Sequence, residues 1–257
     1  MSNDALVIVD PQNDFCDKKG SLYVDGAEDD ILRLSKYIET TEETPREIFV
    51  SLDSHDRVAI FHPSFWVNPA GRHPEPFTPI TPASFAGGDW RPAASQNRPF
   101  AEQMFSVMKT RGIPSLMLWP EHCVVSTWGH QIADPLQRAL ETWRGKTGLA
   151  ARYVFKGENP FTDQFSIFEG LDDSWPETAF NTALFARLEA FDRVTFGGEA
   201  LSHCVRESIL SYVKRPRSRR QEVRLLQDCT SPVSGFDAKE SLDLLRREGV
   251  TFITAAS

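Results

Sequence analysis

Short apolar segments alternate with amphipathic segments along most of the chain. The apolar segments are rich in Val, Ile and Phe on both faces, as strands are when helices cover both sides of their sheet. We predict strands over 5–10, 47–53, 153–156, 193–198, 223–228 and 250–255. The intervening segments have helical periodicity, which predicts helices over 29–38, 132–143, 182–191, 204–214 and 237–248. This alternation predicts an α/β fold with a mainly parallel sheet covered by helices.

Residues 63–99 interrupt this pattern. The segment is rich in Pro and Gly and has no sustained hydrophobic period. It nevertheless carries several large aromatic residues, namely Phe65, Trp66, Phe77, Phe85 and Trp90. Because disordered segments are poor in aromatic residues, we expect an ordered insertion that covers the site or contacts another subunit. Including this insertion, we expect a single domain over residues 1–257.

The composition narrows the range of partners. The chain has 257 residues, of which 40% are hydrophobic, and its formal net charge of −8 argues against nucleic acid or anionic membrane as the main partner. No apolar stretch approaches the ~20 residues of a membrane span, and MSNDALVIVD lacks the features of a secretion signal. Four cysteines without paired spacing do not suggest a disulfide framework. We expect a cytoplasmic protein that acts on a small molecule, and we leave open a homo-oligomer.

Four chemically reactive side chains end a predicted strand or follow it closely. They are Asp10, Asp53, Lys156 and Cys204. Ligands of open α/β sheets bind outside the carboxyl ends of the strands, so we expect these groups on one rim. Taken singly, these residues are more typical of a capping aspartate, a solvated lysine and a buried structural cysteine than of a reactive site. Their shared position favours a reactive site.

The cysteine is the predicted nucleophile of this site. A thiol that opens a helix beside a lysine is expected to have a lowered pKa, which would make Cys204 reactive near neutral pH. Asp10 ends an apolar strand, where burial would raise the pKa of its carboxyl group and Lys156 would lower it. A carboxylate under these opposing influences is suited to exchanging a proton with the thiol and a leaving group.

The stretch LDSHDRVAIFH, residues 52–62, combines Asp53, His55 and His62. One carboxylate with two or three imidazoles suits Zn²⁺, Fe²⁺ or Mn²⁺. A D-x-H motif on its own is more typical of a polar turn. The motif therefore needs a further ligand from elsewhere in the chain before it indicates a metal site.

Together these motifs resemble the nicotinamidase/pyrazinamidase branch of the isochorismatase-like hydrolases. The similarity rests on ALVIVDPQNDFCDKKGSL (5–22), DSH (53–55), LWPEHCVVSTWG (118–129), YVFKG (153–157) and GGEALSHCV (197–205). The resemblance implies a doubly wound α/β sheet, in agreement with the alternation of strands and helices. It also implies a catalytic trio of Asp10, Lys156 and Cys204.

The resemblance implies a divalent metal as well. Its ligands would be Asp53, His55 and His122, with His62 as a further ligand in some members. Zn²⁺ is the expected ion, with Fe²⁺ or Mn²⁺ as alternatives. Three other histidines have no such support and are expected to be structural: His73, His130 and His203.

Substrate contacts also follow from the resemblance. Phe15, Trp119 and Phe165 match aromatic positions that face a flat pyridine ring. Ordinary core packing is the alternative explanation, stronger for Phe165 than for Trp119. The backbone N–H groups of Ala200 and Cys204 would form an oxyanion hole, with a cis peptide bond preceding the alanine. Glu199 departs from the family pattern, which usually has a small apolar residue at this position.

The expected activity is hydrolysis of nicotinamide to nicotinate and ammonia through a thioester on Cys204. Three alternatives remain open. Another amidase of the superfamily would act on a ureido, carbamoyl or maleamate-like substrate, generally without the metal residues. A vinyl-ether hydrolase of the isochorismatase type needs no cysteine, so Cys204 argues against it. A non-catalytic binding protein would use the insertion as an interface.

Overall fold

The computed structural model describes residues 3–255. Its strands are β1 (Asp4–Val9), β2 (Glu47–Asp53), β3 (Trp66–Val67), β4 (Pro79–Ile80), β5 (Arg91–Pro92), β6 (Leu116–Met117), β7 (Arg152–Lys156), β8 (Arg193–Gly198), β9 (Glu222–Leu226) and β10 (Thr251–Ile253). Its α-helices are α1 (Asn13–Cys16), α2 (Ala27–Thr40), α3 (Pro82–Gly87), α4 (Arg98–Arg111), α5 (Asp134–Thr147), α6 (Thr182–Glu189), α7 (Arg206–Val213) and α8 (Ala238–Arg247). A π-helical turn, Leu201–Val205, leads directly into α7.

Six strands form one parallel sheet in the order β10-β9-β8-β1-β2-β7. The chain leaves β1 towards β2 on one side and leaves β8 towards β9 on the other. The strand order therefore reverses between β1 and β8, as in a doubly wound sheet, and this confirms the predicted fold class. Ligands of such sheets bind in the crevice outside the strand ends at the point of reversal.

A hydrophobic core lies on each face of the sheet. On β1, Leu6 and Ile8 join the core formed with α2, α4 and α5, whereas Ala5, Val7 and Val9 join the core formed with α6, α7 and α8. Because both faces are buried, the strand needs apolar residues at every position. This is the physical reason that the predicted strands appear as continuous apolar runs.

All six predicted strands and all five predicted helices are present, with small shifts at their ends. Three helices were not predicted: the short helices α1 and α3, and the longer α4. The buried residues of α4 nevertheless recur at helical spacing: Ala101, Met104, Phe105 and Met108. The helix predicted from residue 204 begins earlier, as the π-helical turn that contains Cys204. Within residues 3–255, no helix is long and apolar enough to cross a membrane.

The segment 63–99 contains β3, β4, α3 and β5 rather than an irregular loop. Strand β3 pairs with β5, and β4 pairs with β6, both antiparallel. Trp66 is buried and its Nε1–H donates to the Ile60 carbonyl at 2.7 Å. The Phe85 ring stacks on Phe105 of α4 with a centroid distance of 4.8 Å. The segment thus packs on α4 and extends the core of that face, while its assignment as an insertion in a single domain stays a prediction.

Candidate active site

The structure brings Asp10, Lys156 and Cys204 together at the predicted rim. The Lys156 Nζ lies 2.9 Å from Asp10 Oδ2 and 3.5 Å from Cys204 Sγ. It also lies 2.6 Å from Asp53 Oδ1, because Asp53 and Lys156 are register partners on β2 and β7. All four side chains are buried. A single ammonium group therefore contacts two carboxylates and the predicted nucleophile.

Asp10 is held by both its backbone and its side chain. Its φ of 44° lies in the left-handed region, which aspartate enters more readily than most residues. Ser51 Oγ donates to Asp10 Oδ1 at 2.6 Å and accepts from the Asp10 N–H at 3.1 Å. The second oxygen, Oδ2, is therefore directed to Lys156.

The charges of the site depend on burial and on these pairings. Burial opposes the charged form of Lys156, but the carboxylates of Asp10 and Asp53 hold the pKa of this lysine well above its usual value. Burial raises the pKa of Asp10 more than the Lys156 ammonium lowers it. Lys156 is therefore the fixed cation of the site, and Asp10 is the carboxyl group best able to accept and return a proton.

The predicted lowering of the Cys204 pKa is wrong. Burial raises the pKa of the Cys204 thiol well above its usual value, and this effect exceeds the opposing effect of Lys156. Asp10 raises it further through its charge and through a hydrogen bond from the thiol. The resting thiol is protonated, so its reactivity requires a proton acceptor, and Asp10 is within hydrogen-bond reach.

A second cluster consists of Asp53, His55 and His122. One potential ligand atom from each lies within 4.8 Å of the others, and all three side chains are buried. Asp53 Oδ2 lies 3.2 Å from His55 Nε2 and 3.8 Å from His122 Nε2. The ring centroid of His62 is 5.7 Å from that of His55 and 5.4 Å from that of His122, so it borders this cluster.

The three imidazole rings are oriented alike. Each Nδ1 faces a backbone carbonyl, which can only accept a hydrogen bond, so each Nδ1 carries a proton and Nε2 is the ring atom that a metal ion would bind. Although burial opposes the charged form of His55, the nearby Asp53 carboxylate raises the pKa of this ring, which would release its Nε2 proton to bind a metal. The carbonyls are Gly157 for His55 at 3.0 Å, Arg57 for His62 at 3.2 Å and Pro120 for His122 at 2.7 Å. The buried His62 Nε2 has no hydrogen-bond partner within residues 3–255. Burial lowers the pKa of His62 to about 2, so its ring is neutral. These residues fit a divalent cation.

Asp10, Asp53 and Cys204 also offer closely spaced potential ligand atoms. The Lys156 ammonium, however, lies within hydrogen-bond distance of all three side chains. A positive charge already balances the carboxylates there, so the histidine cluster is the better cation site.

The reactive cysteine and the histidine cluster share one chamber with the predicted aromatic residues. Phe15, Trp119 and Phe165 line it together with Cys204 and Ala200. The rings of Trp119 and Phe165 are nearly perpendicular, at 89° and 6.4 Å between centroids. They form two adjoining walls of the chamber rather than two parallel plates.

No protein-family model matches the chain. A curated nicotinamidase of Saccharomyces cerevisiae is 27% identical over 245 residues, which cover 95% of this chain and 94% of the yeast protein. The chain is thus similar to this nicotinamidase over almost the whole length of both proteins. This sequence relationship agrees with the resemblance carried by the motifs.

Solved nicotinamidase structures share the fold. The yeast nicotinamidase Pnc1p bound to the inhibitor nicotinaldehyde has a TM-score of 0.70 and 22% identity, with 98% of this chain and 99% of that chain covered. A pyrazinamidase of Pyrococcus horikoshii in complex with zinc has a TM-score of 0.58 and 21% identity, with 98% and 99% covered. At these identities the structural similarity supports the fold alone.

The peptide bond between Glu199 and Ala200 is cis, as the resemblance to nicotinamidases implies. Ala200 lines the chamber beside Cys204. Among the described residues, the Ala200 N–H donates to no protein acceptor. This amide is thus available to a ligand oxygen in the chamber.

His203 lies at the site, contrary to its expected structural role. Its ring lines the chamber and lies 5.1 Å from Trp119, 5.3 Å from Phe165 and 4.5 Å from Phe236, measured between centroids. Burial lowers its pKa to about 4, so the ring is neutral at neutral pH. The position of His203 directly before Cys204 was the one feature of the sequence that could have predicted its place at the site. His130 bonds to Ser54, and His73 to backbone carbonyls, away from this chamber.

Gln12 is a further residue that the sequence analysis missed. Its Oε1 accepts from the Asp53 N–H at 2.7 Å, and its Nε2 donates to the Asp53 carbonyl at 2.8 Å. The side-chain amide thereby holds the backbone of Asp53 as a neighbouring strand would. Its position in DPQNDF, two residues after Asp10, was the only hint in the sequence.

The segment 63–99 reaches this site only at its border. Among the described residues, none from this segment lines the chamber. Phe77 packs against Trp119, which does line the chamber, with 6.2 Å between the two ring centroids. The Phe77 side chain itself remains largely exposed. Both expected roles of the segment, a cover over the site and a subunit contact, therefore stay predictions.

Proposed function

We propose that this protein is a metal-assisted cysteine amidohydrolase that converts nicotinamide and water into nicotinate and ammonia. The single observation that carries the proposal is the contact of the Cys204 thiol with the Lys156 ammonium and the Asp10 carboxyl group in an aromatic chamber. The sequence relationship to a curated nicotinamidase over 95% of the chain supports the choice of substrate.

The proposed reaction uses Asp10 as a proton carrier. Asp10 takes the proton of the Cys204 thiol, and the thiolate attacks the amide carbonyl carbon. The N–H groups of Ala200 and Cys204 stabilise the oxyanion that develops. Asp10 then protonates the leaving nitrogen, which departs as ammonia and leaves a thioester. Asp10 next removes a proton from water, which attacks the thioester, and the thiol is restored when nicotinate leaves.

Lys156 has an electrostatic role in this scheme. Its ammonium group contacts Asp10, Asp53 and Cys204, so it stabilises the thiolate during the reaction and orients the Asp10 carboxylate. A neutral side chain there would leave two buried carboxylates unpaired, which is strongly unfavourable.

We propose Asp53, His55 and His122 as metal ligands, with His62 Nε2 as a fourth. The set of one carboxylate and three imidazoles supports this assignment, and Zn²⁺ is the ion we propose. When bound, the ion supplies an electrophilic site that orients the pyridine nitrogen. The zinc complex of the Pyrococcus horikoshii pyrazinamidase supports the choice of ion.

Phe15, Trp119 and Phe165 are the proposed contacts for the pyridine ring, because their rings line the chamber beside Cys204. We also propose a cytoplasmic location, which is supported by four buried cysteines that are all free. Assembly into a homo-oligomer stays a prediction from the sequence.

The proposal is tested by measuring ammonia release from nicotinamide by the purified, metal-loaded protein. We expect turnover by the wild type and a loss of about three orders of magnitude or more in Cys204→Ala. Cys229→Ala, which removes a buried thiol that contacts Asp228, is the control and should retain activity. Undiminished activity of Cys204→Ala would refute the mechanism. Ammonia from a ureido, carbamoyl or maleamate-like amide, but none from nicotinamide, would refute the substrate assignment alone.

A further inference from the structure

Glu199 is a buried acid directly before Ala200, and it is not among the residues of the proposed reaction. Its exposed fraction is 0%. It stands where the family resemblance leads us to expect a small apolar residue, and a buried carboxyl group at such a position requires partners. The neighbouring amide of Ala200 is one of the two N–H groups proposed to bind the oxyanion.

The residues on either side of Ala200, Glu199 and Leu201, both form a hydrogen bond with Ser231. The Ser231 N–H donates to Glu199 Oε2 at 3.2 Å, and the Leu201 N–H donates to the Ser231 carbonyl at 2.9 Å. The Glu199 N–H also donates to the carbonyl of Val9 at 2.8 Å, at the end of β1 beside Asp10. The Glu199 side chain therefore completes the attachment of the loop that presents the Ala200 amide.

The Glu199 carboxyl group lies within hydrogen-bond reach of a second acid, Asp30 of α2. Glu199 Oε1 and Asp30 Oδ2 are both buried, and neither has another hydrogen-bond partner within residues 3–255. The remaining oxygen of Asp30 accepts from Arg33 Nη2 at 2.6 Å. Two carboxyl groups can pair only when one of them carries a proton.

The protonation of Glu199 agrees with this pairing. Burial raises the pKa of Glu199 well above its usual value, and the charge of Asp30 and a hydrogen bond to it act in the same direction. A proton on Glu199 Oε1 that is donated to Asp30 Oδ2 accounts for both unpartnered oxygens at once.

We propose that Glu199 is a positioning residue for the amidase reaction proposed above: in its protonated form it links Asp30 to Ser231 and so holds the Ala200 N–H in the oxyanion hole. The inference rests on the proposed function for its effect on turnover. The shared proton itself does not depend on the substrate.

The test compares kcat and KM for nicotinamide in the metal-loaded wild type, Glu199→Gln and Glu199→Ala. Glutamine can donate to Asp30 and accept from Ser231, so we expect its kcat to stay within about twofold of the wild type. Alanine can do neither, and we expect kcat to fall about 10- to 100-fold with KM changed less than about threefold. Thr230→Ala, which removes a neighbouring buried hydroxyl outside this linkage, is the matched control and should retain the wild-type kcat.

Wild-type kcat in a folded Glu199→Ala protein, or an equal loss in Glu199→Gln, would overturn the inference. Because the alanine variant can also lose activity by unfolding, we add ¹³C NMR of the Glu199 carboxyl carbon in the wild type, assigned by its disappearance in Glu199→Gln. A protonated carboxyl at neutral pH is expected, and an ionised one would overturn the inference. A wild type without ammonia release would instead refute the proposed function, while the NMR result still decides on Glu199.

Discussion

At the scale of single residues, Lys156 shows how burial changes the meaning of a side chain. A lysine that ends a strand is usually solvated, but here it is enclosed between Asp10 and Asp53. Two carboxylates compensate the loss of hydration of one ammonium group, and the thiol of Cys204 completes its surroundings. The same burial keeps the Cys204 thiol protonated in the resting protein. The thiolate therefore forms only during the reaction, when Asp10 accepts the proton.

His62 provides a test of the proposed metal ligands. His62→Ala should reduce metal affinity by about 10- to 100-fold, because it removes the only buried imidazole nitrogen of the cluster that lacks a protein partner among the described residues. Zn²⁺ affinity is measured by competition with a chromogenic chelator. His73→Ala is the control, since His73 hydrogen-bonds to the backbone carbonyls of Pro63 and Trp66 outside the cluster. Equal affinities of the two variants would rule out His62 as a ligand.

Glu199 gives a prediction about stability and pH. Burial, followed by the charge of Asp30, raises the pKa of Glu199 in the folded state above its usual 4.5, although the Ser231 N–H and Arg33 act against this. Above about pH 4.5 the unfolded chain releases this proton while the folded chain keeps it. The free energy of unfolding therefore decreases as pH rises towards the folded-state pKa, by up to about 1.4 kcal/mol per pH unit from this group.

Glu199→Gln lacks this titration, so its stability relative to the wild type should increase as the pH rises from about 5 towards neutral pH. Urea denaturation of both proteins across this range measures the difference, and all other groups that titrate are common to both. Cys16 lies near Glu199 as well, and its burial raises its thiol pKa well above this range. Stability curves that run parallel would show that Glu199 is ionised in the folded protein.

At the scale of elements, the strand ends and the turns that follow them build the site. Asp53 ends β2, Lys156 ends β7, and Gly157 directly after β7 accepts the hydrogen bond from His55. Gly157 has a φ of +73°, and a Cβ at this position would lie 2.4 Å from His55 Cε1. The left-handed turn and the close approach of the imidazole both require glycine here.

Gly157→Ala should therefore displace His55 and lower both stability and Zn²⁺ affinity. Gly148→Ala is a matched control, because Gly148 has a φ of +71° and a Cβ added there would meet nothing within 4 Å beyond its chain neighbours. Each substitution places alanine in the left-handed region, at a cost of about 1 kcal/mol. Thermal denaturation and metal titration should show an additional loss for Gly157→Ala only, and equal metal affinities would contradict the expected displacement.

At the scale of the whole molecule, the site lies where the strand order reverses, between the two cores of the sheet. Bound Zn²⁺ would connect the end of β2 with residues of two later loops, and a ligand that binds only the folded state stabilises it. At a free Zn²⁺ concentration 100 times Kd, binding adds about 2.7 kcal/mol to the free energy of unfolding. This corresponds to an increase of about 5–10 °C in Tm for a chain of this size.

We expect Zn²⁺ to raise Tm equally in the wild type and in Cys204→Ala, and a chelator to reverse the effect. His122→Ala should respond much less. Differential scanning fluorimetry with and without Zn²⁺ measures this shift. If Cys204→Ala abolished the response, the ion would instead bind the cluster of Asp10, Asp53 and Cys204.

The sequence alone was sufficient for the strands, five of the helices and the rim on which Asp10, Asp53, Lys156 and Cys204 lie. The strands and helices could be predicted because hydrophobic periodicity is a local property of the chain. The shared rim could be predicted because the carboxyl ends of parallel strands lie at one edge of the sheet. The helix α4 was also encoded locally, in the spacing of Ala101, Met104, Phe105 and Met108, and was missed only because the preceding segment lacks a period.

Only the tertiary structure decided the protonation state of Cys204, the place of His203 in the chamber wall and the pairing of Glu199 with Asp30. Each depends on burial and on distances between residues far apart in the chain, and neither quantity can be obtained from local periodicity. The positive charge of Lys156 lowers the pKa of the Cys204 thiol, but the loss of hydration raises it by more. That loss of hydration is set by the packing of both faces of the sheet.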